Sequence, residues 1–168
     1  MEGEIVNKVA NSKLKTIDLE ELYPSGKRIV FDITSWLYEG LILREKDFRE
    51  QVKNHNWQQY DNSYVALTCS SDAIIPSWAY LLIATSLQPH TKKTVVGDLV
   101  LLETVVFQCI INKLDVSEYE NIPVIIKGCA NKPIPQSAYT LLISKLQTVT
   151  KSIMFGEACS TVPLYRRK

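Results

Sequence analysis

Read for its apolar and polar positions, the chain falls into short blocks of alternating type. Between residues 102 and 110 apolar side chains recur at Leu102, Val105, Val106, Cys109 and Ile110, the i, i+3, i+4, i+7, i+8 spacing of an amphipathic helix. An earlier helix over residues 44–54 carries only Phe48 and Val52 on its stripe. It sets Glu45 and Arg49 at i,i+4 spacing, which places it nearer solvent. Continuous apolar runs at 64–68 (YVALT) and 124–127 (VIIK) fit strands buried on both faces. Each is followed by a small polar loop, then by a helix opened at Pro76 or Pro135 and ending near Leu87 or Leu146. Short strands at 94–97 and 153–156 close the two blocks. A further strand is expected at 28–33 (RIVFDI), after a polar arm over residues 1–27 that ends in the turn signal Tyr23-Pro24-Ser25-Gly26 and holds a short strand near 14–17. Residues 34–40 match neither period.

The blocks repeat. Sliding the sequence by 59 positions sets Tyr60 on Tyr119, Asn62 on Asn121, Val65 on Val124, Ile75-Pro76 on Ile134-Pro135, Ala79-Tyr80 on Ala138-Tyr139 and Gly97 on Gly156. Over residues 60–98, 13 of 39 positions are identical without a gap. Ordinary residue frequencies give about two or three. Upstream, Phe48 meets Phe107. The expectation is a single α/β domain over residues 1–168: a mostly parallel sheet with helices on both faces, built by an internal duplication of about 59 residues. Residues 36–98 form one unit, 95–157 the other, and 158–168 a C-terminal tail. Such sheets bind ligands outside the carboxyl ends of their strands.

Composition narrows the partners. A formal net charge of +1 gives no global field toward nucleic acid or a membrane surface, so neither is expected as a partner. The start, Met1-Glu2-Gly3-Glu4, is acidic and lacks the apolar core of a secretory signal, and the longest uncharged stretch, 73–91, is broken by prolines and polar residues. A soluble, cytoplasmic protein with reduced thiols is the expectation.

The four cysteines therefore matter as thiols. Cys69 and Cys129 fall in equivalent loops, one position off the strict repeat, and Cys159 follows the last expected strand. Three thiols on one sheet edge suit a soft metal, zinc or an iron–sulfur cluster, although their long-range spacing carries no ligand signature and small residues packing at strand ends are the simpler account. Cys109, on the apolar helix stripe, is expected in the core. A second chemistry is a small anion held by the loops ahead of Pro76 and Pro135, with Ser70, Asp72, Asn131, Lys132 and Glu157 as its ligands. No phosphate-binding glycine motif accompanies them. Asp32, Asp72, Asp98 and Glu157 all stand at or beyond strand ends; Asp98 and Glu157 are equivalent in the repeat and are expected to do one structural job twice.

At these residues the chain resembles a known family. The runs WLYEGLILREKDFR from Trp36, AIIPSWAY from Ala73, KGCANKPIP from Lys127 and MFGEACSTVPLY from Met154 are similar to those of the bacterial domain of unknown function 2480. The resemblance covers nearly the whole chain. It implies no established activity and supplies no catalytic residues. It does imply an accessory role beside sulfur-mobilising iron–sulfur cluster assembly, with iron–sulfur assembly proteins as partners. Three readings stay open: a thiol or metal protein using Cys69, Cys129 and Cys159, an anion-binding enzyme or sensor, and a non-catalytic adaptor or homo-oligomer.

Overall fold

The computed structural model describes residues 13–127, 131–157 and 160–168. The chain is α/β. In order, β1 (Lys15–Asp18) and β2 (Arg28–Asp32) lead through a 3-10 turn (Ile33–Trp36) to α1 (Glu45–Asn54). A second 3-10 turn (Trp57–Tyr60), β3 (Tyr64–Thr68), α2 (Ser77–Leu87) and β4 (Lys93–Val96) follow. Then come α3 (Leu99–Lys113), a 3-10 turn (Ser117–Tyr119), β5 (Pro123–Lys127), α4 (Gln136–Leu146), β6 (Ser152–Glu157) and β7 (Ser160–Arg166).

The strands form two sheets, β2-β3-β4 and β1-β5-β6-β7, where the sequence suggested one. Every pair is parallel except β6 with β7. The difference arises because β1 does not pair with the strand that follows it. It pairs with β5, Lys15 opposite Val124. The chain accordingly divides into two compact units, Pro24–Val106 and the described residues through Tyr23 together with Phe107–Lys168. The boundary falls within α3.

In the unit Pro24–Val106, period-two alternation turns Phe31, Val65 and Leu67 to one face of the sheet. They cluster there with Phe48 and Val52 of α1 and Ala79, Ile83 and Leu87 of α2. Phe48, Ile83 and Leu87 are fully enclosed, and each such side chain contributes roughly 1.5–3 kcal/mol. On the opposite face Arg28 is held by Glu103 of α3, Nε to Oε1 at 2.7 Å. Ala66, on that face too, is fully buried, which is why β3 reads as a continuous apolar run.

The other unit has its own core: Ile17, Val124, Ile126 and Ile153 from the strands, Phe107 and Ile111 from α3, and Ala138, Leu142 and Leu146 from α4. Its strand register matches that of the first sheet at the 59-residue spacing: Tyr64 lies opposite Lys93 and Val65 opposite Thr94, as Pro123 lies opposite Ser152 and Val124 opposite Ile153. Asn62 and Asn121 both enter their strands at positive φ, 59° and 57°. Asparagine tolerates that conformation better than most residues. The amide of each closes a loop onto a carbonyl, that of His90 and that of Val149.

Two expectations change. α3 buries Leu102, Glu103, Val106, Phe107 and Ile111, a face rotated from the expected stripe, and Cys109 is exposed. The rotation follows from Phe107, whose large ring takes an enclosed position that Cys109 would fill less well. Residues 158–168, expected as a tail, include β7, and Arg167 is tied to the Asn121 side chain at 3.0 Å and the Thr148 carbonyl at 2.7 Å.

Candidate functional site

Parallel pairing brings the carboxyl ends of neighbouring strands to one edge. Asp32 ends β2 opposite Thr68, which ends β3, so Asp-Ile-Thr after one strand meets Cys-Ser-Ser after the next. Asp32 caps the 3-10 turn in extended conformation, and its Oδ1 accepts from Thr34 N at 3.0 Å. This is the local bond that makes Asp a turn former. The same oxygen accepts the Thr34 hydroxyl at 2.7 Å and Ser70 N, across the strand pair, at 3.1 Å. Burial pushes the carboxyl up, but the bonds from Ser70 and Thr34 outweigh it and hold its pKa at about 2.

Thr34 joins the two loops. Its Oγ1 accepts Ser70 N at 3.0 Å and lies 3.1 Å from Ser70 Oγ and 3.6 Å from Cys69 Sγ. The sulfur also lies 3.3 Å from Ser71 Oγ and 3.7 Å from the Ser71 carbonyl. Cys69 is partly buried against the aromatic and aliphatic cluster under the edge. Burial raises its pKa and hydrogen bonds from Ser71 and Thr34 lower it; with Asp32 opposing them, the net direction is down. Tyr80 of α2 faces the same group: burial, then the charges of Cys69 and Asp32, raise its phenol. The thiol is thus partly open to solvent, with two hydroxyls and one carboxylate around it.

The carboxyl edge of the other sheet is built from charges. Asp18 ends β1 as Asp32 ends β2, and its Oδ1 accepts Glu20 N at 2.8 Å in the same kind of turn. Lys127, opposite Asp18, stands between Asp18 Oδ2 at 3.4 Å and Glu157 Oε1 at 3.7 Å. Glu20 draws in the following loop: its carboxylate accepts Asn131 N at 2.9 Å and its carbonyl accepts Lys132 Nζ at 2.9 Å.

The residues expected from sequence are thus distributed over two edges. Ser70 sits with Cys69, and Asp72 is exposed in the same loop. Asn131 and Lys132 meet at Glu20, and Glu157 at Lys127. The Ser70 and Asn131 amides, which a small anion would use, already donate to Asp32 and Glu20. Asp98 caps α3, its Oδ1 accepting Leu101 N at 2.8 Å, whereas Glu157 pairs with Lys127. Cys129 and Cys159 lie outside the described residues. Among the described residues no three of His, Cys, Asp and Glu are grouped to hold a metal ion, and no helix is long and apolar enough to cross a membrane.

Thr34 and Tyr80 are the site residues that sequence reasoning missed. Thr34 had a signal: Asp followed two positions later by Thr is a side-chain-capped turn. Tyr80 was marked by its match to Tyr139 in the repeat, which says nothing of its facing Cys69.

No curated protein and no solved structure matches the chain. A family profile described as protein of unknown function, DUF2480, matches residues 3–167. With nearly its whole length covered, the chain belongs to the DUF2480 family.

Proposed function

We propose that the protein handles sulfur, with Cys69 as its working thiol at the carboxyl edge of β2-β3-β4. The observation that carries the reading is the setting of Sγ: half-open, 3.3 Å from the Ser71 hydroxyl and 3.6 Å from the Thr34 hydroxyl. As a thiolate, Cys69 attacks the outer sulfur of a persulfide on a donor. The new S–S bond forms as the old one breaks, the donor's inner sulfur leaves as a thiolate, and Cys69 carries the persulfide. No external oxidant or reductant is needed. The Ser71 hydroxyl donates to the sulfur while it is charged. In its wider form the reading makes Cys129 and Cys159 further sulfur acceptors, or ligands with Cys69 for zinc or an iron–sulfur cluster, in an accessory step of iron–sulfur assembly. We also infer that the two units arose by duplication, which the common strand register at a spacing of 59 residues supports.

The test is incubation with a low-molecular-weight persulfide, followed by mass analysis of each cysteine peptide. One added sulfur on Cys69, ahead of the exposed Cys109, is expected, and Ser71→Ala slows it. Loading of Cys69 no faster than that of Cys109 overturns the reading.

A further inference from the structure

We propose that the outer edge of β4 takes up an extended segment of another protein as an added antiparallel strand, with an aromatic residue over the cleft beside Thr94 and an acidic one at Lys93.

The two sheets are built alike up to their last strand. β2 runs beside β3 with Asp32 opposite Thr68, and β1 beside β5 with Asp18 opposite Lys127. β4 beside β3 matches β6 beside β5 at the same 59-residue spacing, which sets Lys93 on Ser152 and Val96 on Phe155. β6 then receives β7, antiparallel, on its far side, whereas β4 has no strand there among the described residues. The chain path makes the difference. After Gly97 the backbone enters α3, capped by Asp98; after β6 it returns as β7. An edge left in this way offers backbone donors and acceptors to a further strand.

β7 shows what such an edge accepts. Val162 lies opposite Phe155, Tyr165 opposite Ile153 and Arg166 opposite Ser152, and Tyr165 packs against the core of its unit. On β4 the matching positions are Val96, Thr94 and Lys93. Val96 is 47% exposed and Phe155 37%, so both present an apolar surface to the next strand. Thr94 and Ala84 stand where the other unit has the larger Ile153 and Ile143, and they line a cleft of about 290 Å³ with room for an aromatic side chain. Lys93 lines the same cleft, half-buried and without an ion pair among the described residues. Lys92 beside it is held by the Ser25 carbonyl at 2.8 Å. Where Ser152 accommodates Arg166, this end of β4 therefore selects a carboxylate. Two β4 strands paired antiparallel over their four residues would set each Lys93 against a Val96, so a second copy of the chain is the poorer occupant.

The probe is a labelled synthetic peptide with the sequence of Ser160–Arg166 but ending in glutamate, beside one that keeps the arginine. Each is titrated into the full chain by fluorescence anisotropy, and amide hydrogen exchange locates it. Saturable binding of the glutamate-ended peptide below roughly 1 mM is expected, about fivefold tighter than the arginine-ended one. Exchange slows over residues 93–96. Lys93→Glu reverses the preference, and Ala84→Ile, which fills the cleft, abolishes binding. Tryptophan fluorescence confirms that each variant is folded; Lys93→Gln, which erases the preference, and Ala84→Val stand in if they are not. Absent binding, slowed exchange only outside residues 93–96, a preference that Lys93→Glu leaves in place, or binding that survives Ala84→Ile overturns the inference. So does protection of residues 93–96 that rises with protein concentration without peptide, the mark of a second copy on this edge.

Discussion

Replacing Asp32 with Asn leaves a side chain of the same shape and takes away one charge. The carboxyl has a pKa of about 2 in the folded chain against 3.8 unperturbed. That gap amounts to roughly 2.5 kcal/mol at about 1.36 kcal/mol per unit. Asp32 is partly open to solvent, so screening reduces the expected loss to roughly 1–2 kcal/mol. The sign follows from the direction: a depressed pKa contributes stability that is full above 3.8 and is lost as pH falls through about 2. All three tryptophans, Trp36, Trp57 and Trp78, lie in the unit Pro24–Val106, so their fluorescence reports the half that holds Asp32. Urea unfolding followed in this way places Asp32→Asn below the parent by roughly 1–2 kcal/mol near neutral pH, and the two converge as pH approaches about 2. An equal gap at both pH values would refute the reasoning, since the loss would then come from shape and not from charge.

Other expectations follow from the same structure. Glu103→Ala takes from Arg28 a carboxylate that is 5% exposed; the guanidinium keeps the Pro24 and Gly26 carbonyls, so about 3 kcal/mol is lost, while Arg28→Met with Glu103→Leu stays within about 1 kcal/mol of the parent, as urea unfolding measures. Gly156→Ala sets a Cβ 2.5 Å from the Ser160 carbonyl oxygen, whereas at Gly97 it meets the mobile end of Leu101 at 2.6 Å. Thermal unfolding should therefore show the larger loss at Gly156, roughly 2–4 against 1–2 kcal/mol, and equal losses would contradict the steric account. His55 Nε2 lies 3.0 Å from the Tyr60 hydroxyl and 3.1 Å from the Gln59 amide, and burial lowers its pKa. The unit Pro24–Val106 then loses stability as pH drops below about 6.5, and a flat profile between about pH 7.5 and 5 would exclude this. Asp32 beside Cys69 favours neutral reagents, so iodoacetamide should outrun iodoacetate at Cys69 by more than at Cys109, and Asp32→Asn should narrow the difference.

Local structure was legible wherever one residue's neighbours in sequence decided its state. The YVALT run, the prolines ahead of α2 and α4, and the ends of those helices at Leu87 and Leu146 follow from period and capping. Pairing over long distance was not legible. Nothing in Lys15–Asp18 says that its partner is β5, because four residues of alternating polarity fit the edge of any sheet. The same limit applied to α3, where apolar residues on several faces hid which would be enclosed until Phe107 and Ile111 met Ile17 and Val124. At the candidate site the loops were placed by the rule that parallel sheets present their carboxyl ends together. The carboxylate that organises one of them, Asp32, looked like any acidic residue at a strand end. Its role depends on Ser70, which is 38 residues away.

The pairing of β1 with β5 has a consequence for synthesis. The stretch Pro24–Val106 carries all three strands of its sheet in unbroken succession, so it can close while the remainder is still being translated. β1 emerges before any of it, yet must wait with its hydrogen-bonding groups unpaired until Val124 and its neighbours leave the ribosome. Closing so long a loop costs little more than closing one of half the length, but it delays the search for the partner strand. β1 is thus used long after it is made, and a chain halted before β5 holds the three strands of one sheet and a strand still lacking its partner.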